Sequence, residues 1–167
     1  MINKIFDEVF VINLINDKFK KNMMIKKITK LNIKFTFIEA VNGNNYPYSM
    51  QYEEYKKKPY NWIGAHHYEK NRLKKMITSY GSFGYLHSWL NILKLSVEKK
   101  YKKIAVFDDD VCFDNNFNKK LENALNNIND FKVLLFGTSQ HIWKDIKIKE
   151  NSLYYLPIEY TDGSFAV

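Results

Sequence analysis

Val9-Phe-Val-Ile-Asn-Leu14 is a short apolar run of strand character, and together with residues 15–43 it decides the fold. Asn16 or Asp17 stands where a helix N-cap belongs, and Met24, Ile28 and Leu31 then recur on one helical face. Phe35 and Phe37 alternate with Thr36 and Ile38 as in a second strand, which ends at Ala40-Val-Asn-Gly43. Strand, helix and strand in that order predict a βαβ unit, and a βαβ unit implies a parallel sheet.

Outward from that unit the pattern first breaks. Between Asn44 and about Tyr80 the prolines, tyrosines and lysines show no clear period, so a long irregular insertion with one short helix is expected. Gly81-Ser-Phe-Gly84 then opens a helix that would bury Leu86, Trp89, Leu90, Leu93 and Val97, with His87, Asn91, Lys94 and Glu98 on another face. Ile104-Ala-Val-Phe107 reads as a strand ending in Asp108-Asp-Asp110. Asn115 or Asn116 can cap a further helix, in which Phe117, Leu121, Ala124, Leu125 and Ile128 keep a 3.6-residue period. Val133-Leu-Leu-Phe136 is expected as a buried strand stopped by Gly137, with later strands at Leu153–Leu156 and Ser164–Val167. No internal repeat is visible, and residues 1–167 read as a single α/β domain.

Composition narrows the class without choosing a function. A hydrophobic fraction of 46% and an aromatic fraction of 16% mark a chain that folds. No apolar run reaches the roughly 20 residues that cross a bilayer, and the start lacks a secretory layout, so a cytoplasmic setting is the expectation. One cysteine, Cys112, excludes an internal disulfide and any multi-cysteine zinc site. Its apolar neighbours predict a small core residue. The net charge of +8 favours polyanionic partners, among them nucleic acid, anionic lipid and phosphorylated small molecules. A lysine- and asparagine-rich composition arising from an AT-rich gene accounts for the same number.

The acidic triplet carries the most chemistry. Successive side chains on a strand point to opposite faces, so Asp108 and Asp110 are expected on one side and Asp109 on the other. Like charges about 4 Å apart repel by ~4 kcal/mol at an effective dielectric of 20. A divalent cation reverses that sign, and an oxygen-only donor set suits Mg²⁺ or Mn²⁺ rather than zinc. Ligands of open α/β sheets gather beyond the carboxyl ends of strands, where this triplet falls. A solvated acidic turn is the alternative reading.

Taken in order, Val11-Ile-Asn-Leu14, Ala40-Val-Asn-Gly43, Gly81-Ser-Phe-Gly84 and Phe107-Asp-Asp-Asp-Val111 resemble glycosyltransferase family 25. That family includes bacterial lipooligosaccharide sugar transferases and collagen galactosyltransferases. The resemblance implies a GT-A fold, a Rossmann-like mixed and mostly parallel sheet. It also implies Mn²⁺ or Mg²⁺ as cofactor, a UDP-sugar as hexose donor, and a glycan, glycolipid or glycoprotein as acceptor. By position, Asp108 and Asp110 would be the metal pair, with Asp108 also able to meet the ribose, while Asp109 would support the site or face the sugar. Val11, Asn13, Ala40 and Gly43 would line the nucleotide pocket. Lys20 or Lys21, where the family often has arginine, would meet the diphosphate as a point charge rather than a fork.

The chain departs from the family in places. Gly84-Tyr-Leu-His-Ser88 stands where Gly-Cys-x-x-Ser-His is usual, so His87 is either a nucleotide contact or a plain polar-face residue. Asp162, in Asp162-Gly-Ser164, is a candidate base for an acceptor hydroxyl. His66, His67 and His141 carry little weight, and the tyrosines at 46, 48, 52, 55 and 60 suit packing better than stacking on sugar or base. The family's usual C-terminal part has no counterpart in these residues, which leaves open a non-catalytic nucleotide-binding homologue. Binding to nucleic acid is not expected, for no reader motif is present. Peripheral contact with an anionic membrane stays open.

Overall fold

The computed structural model describes residues 2–59, 75–126, 133–140, 147–148, 155–156 and 161–163. After a 3₁₀ turn at Ile2–Lys4, the elements run β1 (Glu8–Asn13), α1 (Lys18–Lys30), β2 (Thr36–Glu39), α2 (Tyr48–Lys57), α3 (Tyr80–Glu98), β3 (Ile104–Asp108) and α4 (Phe117–Asn126). Four short strands complete the order: β4 (Thr138–Gln140), β5 (Lys147–Ile148), β6 (Tyr155–Leu156) and β7 (Thr161–Gly163). Contacts divide the chain into one unit of residues 1–38 with 96–167, and a second of residues 39–95.

The first unit is built on an all-parallel sheet of order β2-β1-β3. Val9 lies opposite Ala105, Val11 opposite Phe107 and Ile12 opposite Asp108. Val9 through Ile12 are all buried, as are Ala105 through Phe107. Strands covered on both faces need apolar side chains at every position, which is why both read as unbroken runs. The Asp17 carboxylate accepts the Lys20 N–H at 3.0 Å and so caps α1, as expected. At the other end Asn32 takes φ 53°, and the Ile33 N–H returns to the Ile28 carbonyl at 3.4 Å. Ile28 and Ile33 both sit in the core, so the stop is a Schellman-type turn with its usual apolar contact. Phe107 meets Phe113 at 5.1 Å and Phe136 at 5.8 Å between ring centres, which ties the loop after β3 to the sheet.

The βαβ expectation therefore holds, but several local expectations do not. Val133–Phe136 is not a strand; the strand begins later, at Thr138, and pairs antiparallel with β7. β5 and β6 form a second antiparallel ribbon, and Tyr155–Leu156 falls within the expected Leu153–Leu156, whose first two residues lie outside the described ones. Cys112 is exposed rather than in the core. The strand stops at Asp108, so Asp110 has left the sheet and alternation no longer applies there. The helix at Gly81–Gly84 begins one residue before that motif, and its buried stripe is Phe83, Gly84, Ser88, Ile92 and Ser96. Leu86, Leu90, Leu93 and Val97 are exposed instead. Small residues at four-residue spacing let backbone come close, and a count of apolar residues cannot anticipate that preference.

In the second unit, α2 supplies the short helix expected in the insertion. Tyr52 is buried and meets Tyr80 at 4.7 Å and Phe83 at 5.5 Å, and Tyr48 and Tyr55 also make ring contacts, whereas Tyr46 is exposed. The Lys75 ammonium donates to the Lys58 carbonyl at 2.8 Å and the Lys56 carbonyl at 3.3 Å, closing the carboxyl end of α2. Tyr60, His66 and His67 lie outside the described residues, as do His141 and the strand expected at Ser164–Val167. Among the described residues no helix is long and apolar enough to cross a membrane.

Candidate active site at the carboxyl ends of β1 and β3

Sheet order places the site. From β1 the chain passes through α1 to β2 on one side, whereas β3 lies on the other side of β1. The crevice beyond the carboxyl ends of β1 and β3 is thus the point where strand order reverses, the usual ligand site of such sheets. Asn13 ends β1 and Asp108 ends β3, and Asp109 and Asp110 form the turn after it.

The side chains there are tied together. Asn13 is buried, and its amide donates to Asp109 Oδ2 at 2.7 Å and to the Asp17 carbonyl at 3.3 Å. The other oxygen of Asp109 lies 3.4 Å from Lys20 Nζ, and Asp110 Oδ2 lies 3.1 Å from the same ammonium. Asp109 is only 14% exposed and Asp110 65%. Hydrogen bonding to Asp110 holds the Lys20 ammonium above its ordinary pKa, and the charges of Asp109 and Asp110 add to it against a burial penalty. Two neighbouring carboxylates thus share one cation, as their repulsion requires. Asp109 and Asp110 both meet Lys20 because the turn brings both to the side of α1. Asp108, half-buried opposite Ile12, stays on the sheet.

Lys27, to which no expectation was attached, donates to the Val111 carbonyl at 2.7 Å and pins the residue after the triplet. Its position seven residues after Lys20, two turns along α1, was the available signal. Val11 is buried within β1 and shows no polar side chain to the crevice. Asp162 lies on β7 opposite Ser139.

Aspartate oxygens are hard donors. Among the described residues no group of three or more histidine, cysteine, aspartate or glutamate side chains is placed to hold a metal ion. Two carboxylates converging on one positive centre match the partial oxygen set that Mg²⁺ and Mn²⁺ take alongside substrate phosphates.

Ala40, Gly43 and His87 belong to the second unit. The Val41 N–H donates to Ser88 Oγ at 2.8 Å, and that hydroxyl donates to the Gly84 carbonyl at 2.9 Å. A Cβ on Gly84 would stand 2.6 Å from the Gly43 nitrogen, so the two glycine motifs meet backbone to backbone. Ser88 is fully buried, and it was legible only as the residue one helical turn after Gly84. His87 packs against Phe83 at 4.7 Å and Tyr48 at 4.9 Å.

Burial pushes the His87 imidazole below its ordinary value of 6.5, with Lys94 acting in the same direction. The unfolded chain therefore takes up this proton more readily than the folded one. The stability involved is present above the unfolded value and is lost as pH falls through the folded one. Urea midpoints measured from roughly pH 7 to 5 should fall more steeply for the unaltered chain than for His87→Phe. Equal slopes would remove the imidazole from the account.

The sequence profile of glycosyltransferase family 25 (LPS biosynthesis protein) matches residues 6–160. This chain belongs to glycosyltransferase family 25. It is similar to procollagen galactosyltransferase 2 of Homo sapiens, with 27% identity over 149 residues, and to that of Mus musculus, with 26%. Each alignment takes in 87% of this chain and 22% of the relative, so the chain spans about a fifth of their length. The family match runs from before β1 to beyond β6 and includes every residue of the acidic turn and its Asn13 and Lys20 partners.

Proposed function

We propose that this family 25 chain transfers a hexose from a UDP-sugar to a hydroxyl of a glycan, glycolipid or protein-linked acceptor, with Mn²⁺ or Mg²⁺ held at Asp109 and Asp110. The observation that supports the reading best is the convergence of those two carboxylates on one cation at the switch point of the sheet. Asn13 orients Asp109, and Asp108 stands at the strand end for metal or ribose. When bound, the divalent ion stabilises the negative charge that grows on the leaving diphosphate. Lys20, one turn into α1, carries a positive charge that can pass from the carboxylates to that diphosphate. Asp162 is the proposed base: it takes the acceptor's proton as the acceptor oxygen bonds to the anomeric carbon and the bond to the diphosphate breaks.

Calorimetry with UDP and Mn²⁺ should show binding that weakens at least about tenfold in Asp110→Ala, ~1.4 kcal/mol. UDP released from UDP-galactose or UDP-glucose above a protein-free control would support transfer chemistry. Absence of UDP binding with Mn²⁺ present would sink the reading; binding without release in the presence of acceptors would mark a nucleotide-binding homologue.

A further inference from the structure

Helix α1 carries Lys18, Lys20, Lys21, Lys26, Lys27 and Lys30 and no acidic residue. Three of these are engaged within the first unit: Lys20 with the acidic turn, Lys27 with the Val111 carbonyl, and Lys21 with the Phe37 ring at 4.8 Å. Lys26 and Lys30 are exposed, and Lys18 stands at the start of the helix. On the arc of Lys26 and Lys30 stand Phe19, 75% exposed, and Met23, opposite the buried Met24 and Ile28. Leu14 and Ile15, in the turn entering the helix, are exposed as well, Ile15 at 63%.

We propose that this face of α1 docks on an anionic lipid bilayer. A helix lies in the interface when lysines meet anionic headgroups while apolar side chains enter the boundary with the acyl chains. The lysines by themselves would serve any polyanion. Exposed phenyl, thioether and branched aliphatic groups beside them favour lipid, since Met23 and Ile15 offer no aromatic face for stacking on a base. Lys20 reaches the acidic turn from another side of the same helix, so docking would hold the candidate site beside the membrane. Docking does not rest on the transferase reading, and its test needs no sugar nucleotide.

Flotation of the 167-residue chain with vesicles tests it. Vesicles of phosphatidylcholine with roughly a third phosphatidylserine should carry the chain upward, and phosphatidylcholine vesicles should not. Each lysine at the surface contributes roughly fivefold, so Lys18→Gln, Lys26→Gln and Lys30→Gln together should weaken binding about a hundredfold. Phe19→Ala should also weaken it, with the helical circular dichroism unchanged. Equal binding to both vesicle types, or vesicle binding indifferent to Phe19→Ala, overturns the proposal. So does binding to a DNA duplex without binding to anionic vesicles, or self-association through this face in place of vesicle binding.

Discussion

Asp109→Asn is expected to lower UDP release by about two to three orders of magnitude while leaving the melting temperature nearly unchanged. The two halves of that expectation come from the two oxygens of Asp109. Oδ2 accepts the Asn13 amide at 2.7 Å, and an asparagine at this position can present its carbonyl oxygen to the same donor. The packing of a side chain only 14% exposed is kept, because the two residues have the same shape. What disappears is a negative charge. Asp109 and Asp110 together face one ammonium, and in the proposed reaction they also face a divalent ion beside a diphosphate. With one carboxylate gone, Lys20 alone nearly neutralises the turn, and little attraction for a second cation remains. Rates at saturating UDP-sugar, paired with a thermal melt, check the claim. Retention of more than about a tenth of the rate would be smaller than the loss of a typical charge-stabilising group and would remove Asp109 from the reaction.

The reach of sequence reasoning can be seen residue by residue around this site. β1 and β3 were legible because strands covered on both faces require apolar side chains throughout, and Asp17 because a helix start needs an acceptor for its first N–H groups. Their order then located the crevice. That Asp109 and Asp110 would both face Lys20 was not legible. Alternation assigns sides only while the strand lasts, and β3 ends at Asp108, where a turn takes over. Lys20 supplied the missing constraint: an ammonium on a neighbouring helix draws both later carboxylates toward it, a contact between residues ninety positions apart that no local pattern encodes. The exposed stripe of α3 failed for a related reason. Apolar periodicity shows that a helix is amphipathic, but close approach of backbone selects the side lined by Gly84 and Ser88 over the side lined by leucines.

That close approach leads to the second large effect, Gly43→Ala. A Cβ at Gly43 would lie 2.7 Å from the Tyr80 carbonyl carbon and 3.0 Å from the Gly84 nitrogen, and both are backbone atoms at the start of α3. A flexible side chain could swing aside; the first turn of a helix cannot. It is also held from below, where Ser88 receives the Val41 N–H and returns its own hydrogen to the Gly84 carbonyl. Relief of the overlap therefore breaks a buried hydrogen-bond pair or displaces the helix, at a cost of about 3 kcal/mol or more. For a domain of this size that corresponds to a melting temperature lower by roughly 6–12 °C. Gly81→Ala is the matched control: its Cβ would meet only the Ser79 hydroxyl oxygen, at 3.7 Å, so the melt should stay level or rise slightly. If Gly43→Ala melts within about 2 °C of the unaltered chain, less than 1 kcal/mol is at stake and backbone contact is not what demands this glycine. If it melts early yet binds UDP with undiminished affinity when cold and folded, Gly43 acts as architecture, and the nucleotide contact that family resemblance implied for it falls away.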